Sequence, residues 1–133
     1  MSEHDIRERN VATVSRFYQY ERERDLGAWV SLWHAEGRQT FPAIGAEATV
    51  AGLDQLREVT RSKFNNRPPY GIRDRVAAFA DPNRVFVHLD LDFPGVRSFP
   101  IWCIFHFDEK GRITEIEEMV DTGSLPDLGI EQS

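Results

Sequence analysis

The chain has 133 residues, enough for a single domain (1–133) that buries its own apolar core without disulfide or metal support. Its formal net charge of −6 and the lack of any Lys/Arg cluster exclude nucleic acid and anionic membrane as partners, because phosphate recognition needs a positive field. A lone cysteine, Cys103, leaves no internal disulfide, and without a leader core or an apolar run of about 18 residues the chain is expected in the cytoplasm.

Ser2 or Asp5 is placed to cap a first helix running to about Arg24, with Ile6, Val14, Phe17 and Tyr18 at helical spacing. Asp25 opens a second helix whose apolar stripe is Leu26, Trp29, Val30, Leu32 and Trp33, closing near Gly37. Residues 38–44 read as a short strand and 49–51 as a brief extended piece after a turn. A third helix follows over 53–64, with Leu53, Leu56, Val59 and Phe64 inward. Asn65 to Gly71, with its two prolines, is a loop.

From Ile72 the pattern changes to four strands, about 72–79, 84–93, 99–107 and 112–121, separated by Asp81-Pro82-Asn83, Pro94-Gly95 and Glu109-Lys110-Gly111. Gaps this short join antiparallel neighbours, so the four belong to one sheet and the chain is α+β. In the second strand Val85, Val87, Leu89 and Leu91 alternate with Phe86, His88, Asp90 and Asp92. The third is greasy on both faces, with Phe99, Ile101, Cys103, Phe105 and Phe107 on one and Trp102 and Ile104 on the other. Helices are expected over the first face and a second copy of the chain over the second.

In the last strand alternation puts Thr114, Ile116, Glu118 and Val120 on one face and Ile113, Glu115, Glu117 and Met119 on the other. Glu118 thus keeps apolar company, which raises a carboxyl pKa toward the range useful for proton transfer; a bent edge strand that lets it reach water is the competing reading. His88-x-Asp90-x-Asp92 forms a metal site only if a second histidine such as His106 comes alongside; ordinary cross-strand polar pairing is the expectation, with no metal. No phosphate-binding glycine loop, nucleophile elbow or dinucleotide fingerprint is present, so no cofactor is expected.

The segment from Arg7 to Val14, Ala80-Asp81-Pro82-Asn83 before the second strand, and Gly111-Arg112-Ile113 leading to Glu118 occur in an order and spacing that resemble the nuclear-transport-factor-2-like, or SnoaL-like, superfamily, closest to the phenazine-biosynthesis A/B proteins. The resemblance covers nearly the whole chain. It implies three N-terminal helices packed on a curved, mainly antiparallel sheet, a cone-shaped α+β barrel that binds small cyclic or polyketide-like molecules. It also implies a general acid/base glutamate on the last strand, matched by Glu118. Two features depart from the phenazine pattern: Arg73-Asp74-Arg75 stands where a pocket histidine would fall, and basic residues to hold a doubly carboxylated ring are hard to place.

The expected site therefore has Glu118 as acid/base, Asp74 or His88 orienting polar substituents, and Tyr18, Trp29, Trp33, Tyr70 and Phe105 as aromatic walls. The function read from it is isomerisation, condensation or cyclisation of a ring-bearing or polyketide-like metabolite. The alternative is a non-catalytic ligand-binding or dimeric scaffold protein. A homodimer through Phe86, Trp102, Ile104 and Met119 is expected in either case.

Overall fold

The computed structural model describes residues 1–95 and 98–121. Helices α1 (Glu3–Glu23), α2 (Leu26–Val30) and α3 (Leu53–Asn66) pack on a curved sheet of β1 (Trp33–Thr40), β2 (Val50–Ala51), β3 (Gly71–Ala78), β4 (Arg84–Asp92), β5 (Phe99–Phe107) and β6 (Ile113–Val120). The strand order is β2-β1-β6-β5-β4-β3, with β1 and β6 parallel and every other pair antiparallel. This is the expected α+β cone.

Helix α1 starts in a capping box, the Ser2 hydroxyl accepting from the Asp5 amide at 3.1 Å and the Asp5 carboxylate from the Ser2 amide at 3.3 Å. Its buried stripe is Asn10, Thr13, Val14, Phe17, Tyr18 and Glu21, the spacing of one helix face. Phe17 is the hub of an aromatic core, with ring centroids 5.0 Å from Tyr18, 5.4 Å from Trp29 and 5.1 Å from Phe105. Truncating a ring such as fully buried Phe105 would cost about 3–5 kcal/mol.

Three expectations are corrected. The second helix ends at Val30, and Trp33 begins β1, so the strand is Trp33–Thr40 rather than 38–44. Five apolar residues over 26–33 satisfy a helical stripe, but parallel pairing with β6 takes the last of them, as Trp33 opposite Ile113 shows. Gly37 lies under that ring: a Cβ there would come within 2.5 Å of Trp33 Cε3. Ile113, assigned to the outer face, is fully buried on the inner one, because the register shifts between His106 and Phe107 and two residues separate Ile113 from Ile116. Val59 is on the inward side, where it lines the cavity described below, but is 43% exposed rather than packed in the core.

The cone has two different ends. At one, α1 is tied to the turns of the sheet: Asn10 Nδ2 donates to the Pro82 carbonyl at 2.9 Å and Arg7 Nη2 to the Ala80 carbonyl at 2.8 Å. Gly111, with φ +81, lies against Arg9, whose Nε would be 2.7 Å from any Cβ added there. At the other end the helices and the sheet leave a cavity between them.

Candidate functional site

The cavity measures about 120 Å³ and is open on one side. Tyr18 and Glu21 come to it from the last turns of α1, Gln39 from β1, and Thr60, Lys63 and Arg67 from α3 and its C-cap. Leu89, Leu91, Phe99, Ile101, Glu118 and Val120 form its floor from the ends of β4, β5 and β6. A 120 Å³ space is comparable to an apolar cavity of about 150 Å³ that holds one benzene ring.

Glu118 sits opposite Cys103 in the β5–β6 register and points into this space. Its Oε1 accepts from Gln39 Nε2 at 3.3 Å and lies 3.9 Å from the Cys103 sulfur. Burial raises its pKa; the positive charges of Lys63 and Arg67 pull it back, and the negative charge of Glu21 adds to the rise. Burial also pushes the Tyr18 hydroxyl and the Cys103 thiol up, so both remain protonated at neutral pH. Glu21, itself buried, accepts from the Tyr70 hydroxyl at 2.7 Å and lies 3.5 Å from Lys63 Nζ.

The site residues expected from sequence separate into three groups. Glu118 and Tyr18 line the cavity, and Tyr70 stands just behind it through Glu21. Trp29, Trp33 and Phe105 are buried in the aromatic core and are not among the cavity-lining residues. Asp74 and His88 are elsewhere as well. Asp74 is ion-paired with Arg22, and His88 is on the outer face beside Arg75, whose Nη2 lies 3.0 Å from its Nε2 and 2.7 Å from Asp90 Oδ2. His88 and His106 do not come alongside: the register sets His88 opposite Trp102 and His106 opposite Arg84.

Sequence reading missed Glu21, Gln39, Thr60, Lys63 and Arg67. A signal existed for most of them. Glu21 continues the 14, 17, 18 stripe of α1, and Leu56, Thr60 and Lys63 follow a 4-3 spacing on α3, but apolar residues alone define those stripes in the sequence, and Arg67 falls in the segment read as a loop. Among the described residues one group has metal-ligand geometry, His106, Glu115 and Glu117 on the outer face, with ligand atoms within 4.8 Å. Arg38 already holds Glu115 Oε1 at 2.8 and 3.0 Å, so a cation would have to displace a guanidinium.

The SnoaL-like domain model matches residues 14–116. Among solved structures, a protein of Xanthomonas campestris pv. campestris described as a polyketide cyclase is similar at TM-score 0.76 and 14% identity, covering 92% of this chain and 98% of that one. A steroid delta-isomerase of Pseudomonas aeruginosa is similar at TM-score 0.70 and 23% identity, covering 91% of this chain and 86% of that one. Identities this low carry the fold alone. A curated protein described as a probable GTP 3',8-cyclase, from Methanothermobacter marburgensis, is 30% identical over 62% of this chain, which spans 30% of that protein's length.

Proposed function

This chain belongs to the SnoaL-like domain family, and we propose that its cavity binds a small ring-bearing or polyketide-like molecule on which Glu118 acts as general acid/base in isomerisation, condensation or cyclisation. The observation that carries the reading is the buried carboxyl group of Glu118, aimed into the cavity with a neutral amide, Gln39, as its hydrogen-bond donor. An arginine in that place would hold the carboxylate ionised and weakly basic. Burial instead moves its pKa upward, toward the range where proton transfer is efficient. The cyclase and isomerase neighbours on the same fold support a reaction of this kind.

In the proposed step Glu118 takes the proton from a carbon next to a carbonyl, and the electron pair of the broken C–H bond passes to the carbonyl oxygen. Tyr18, kept a phenol by burial, supplies a hydrogen bond to that oxygen. Glu118 then returns the proton, to the same carbon or to one further along the conjugated system. The likeness to phenazine-biosynthesis proteins rests on short segments about Asn10, Pro82 and Gly111, which meet at the other end of the cone.

The test is conversion of 3-cyclohexenone to 2-cyclohexenone in deuterated water, followed by NMR. Wild-type protein is expected to speed isomerisation and deuterium incorporation, and Glu118→Gln to lose at least about 10²-fold of that acceleration while keeping its melting temperature or raising it. An undiminished rate in Glu118→Gln would sink the proposal. The cavity also weighs against a scaffold whose pocket is filled by side chains. We further propose a homodimer formed by the outer sheet face, supported by Trp102 at 54% and Met119 at 48% exposure on one apolar patch.

A further inference from the structure

Arg67 differs from every other described arginine. The side chains of Arg7, Arg9, Arg16, Arg22, Arg24, Arg38, Arg57, Arg61, Arg73, Arg75, Arg84 and Arg112 each have a hydrogen bond or ion pair within the chain. That of Arg67 makes neither among the described residues, yet it lines the cavity in a chain with 22 acidic residues available to pair with it. A guanidinium left unpaired in a partly enclosed, partly apolar space calls for an anion.

Its position is held from behind. Arg24 Nη1 donates to the Phe64 carbonyl at 2.7 Å and the Arg67 carbonyl at 3.0 Å, and Arg24 Nη2 to the Pro68 carbonyl at 3.0 Å, clamping the backbone where α3 ends. These bonds satisfy the carbonyls that an arginine at a helix C-terminus would otherwise cover with its own side chain, and so leave the Arg67 guanidinium uncommitted. Lys63, one helical turn earlier, lines the same cavity, but its charge is matched by Glu21.

We propose that the cavity's ligand carries a carboxylate, received by the Arg67 guanidinium with Lys63 beside it, while the remainder of the molecule occupies the apolar floor near Glu118. Lys63 and Arg67 bring two positive charges to the cavity, and Glu21 is ion-paired with Lys63 alone. The planar fork of arginine matches a carboxylate through two parallel hydrogen bonds, and a space of about 120 Å³ leaves room for little more than one ring attached to it. The inference rests on the reading of this cavity as a ligand site and not on the chemistry of Glu118, so its test measures binding alone.

The intact protein is titrated with benzoate and with benzamide, its neutral isostere, by calorimetry and by amide NMR shifts. Benzoate is expected to bind roughly tenfold or more tightly than benzamide, shifting amides of α3 and of the ends of β5 and β6. Arg67→Gln is expected to bring the two affinities together without lowering the melting temperature, and Arg67→Lys to retain part of the preference. Equal binding of the two probes, no benzoate binding at millimolar concentration, or an unchanged preference in Arg67→Gln would each overturn the proposal. A benzoate preference that survives while Glu118→Gln keeps full isomerase activity leaves the anion site standing and removes the acid/base reading; the opposite pair of results does the reverse.

Discussion

Glu117 and Glu118 are adjacent carboxylates with opposite surroundings. Glu117 lies 2.6 Å from His106 Nε2 on the outer face, whereas Glu118 faces the cavity with Gln39 as its donor. Burial raises the pKa of Glu118, and this has a consequence for stability. Below the ordinary carboxylate range the group is protonated in both folded and unfolded chains and contributes no penalty. As pH rises through that range the unfolded chain releases its proton first, so stability falls until the raised folded value is passed. Glu118→Gln removes this loss and should be more stable than wild type at neutral pH, an advantage that disappears in acid. Chemical denaturation of both proteins across that pH span checks it, and a difference independent of pH would mean that Glu118 is not desolvated. Stability given up at such a position is the pattern of a functional group.

Among elements, α1 has two jobs divided along its length. Its first turns lock onto the β3–β4 turn and the β5–β6 turn through Arg7, Arg9 and Asn10, while its last turns bring Tyr18 and Glu21 to the cavity. Asn10 is fully buried, and its amide satisfies the Pro82 carbonyl. Asn10→Ala would leave that carbonyl without its partner and should destabilise the fold by about 1–3 kcal/mol. Because the cavity is at the opposite end, the benzoate affinity of the folded variant should equal that of wild type. Thermal unfolding together with the same titration tests both halves. The element also explains why the short segments behind the family resemblance say little about reaction: they meet one another at the closed end and maintain the cone there.

For the whole molecule, the sheet separates a concave face covered by helices from an outer face that is both apolar and charged. Phe86 and Trp102 pack edge to face at 6.0 Å on that outer side, with Met119 opposite Trp102 in register and ion pairs such as Arg75–Asp90 and Arg38–Glu115 around them. A second copy related by a two-fold axis would bury the apolar centre and leave the charges at its rim. Sedimentation at micromolar concentration should therefore find a dimer for wild type and a monomer for the Trp102→Glu, Ile104→Glu double variant. A monomeric wild-type boundary, or a dimer unaffected by the double variant, would assign the outer face another role.

Local pattern alone determined the helical front, the four-strand meander and the face on which Glu118 lies, because period 3.6, period 2 and turn residues act within a few neighbours. Register and long-range pairing decided the rest. The shift between His106 and Phe107 moved Ile113 to the core, and parallel pairing with β6 drew Trp33 out of the second helix. Asp74 and His88, plausible in sequence as polar partners for a ligand, are held by Arg22 and Arg75 away from the cavity. Glu21, Lys63 and Arg67 enter it only because the end of α1 and the end of α3 come together over the sheet. A charged side chain reads the same in a sequence whether it meets water or a ligand, and only the packing of distant elements makes the distinction.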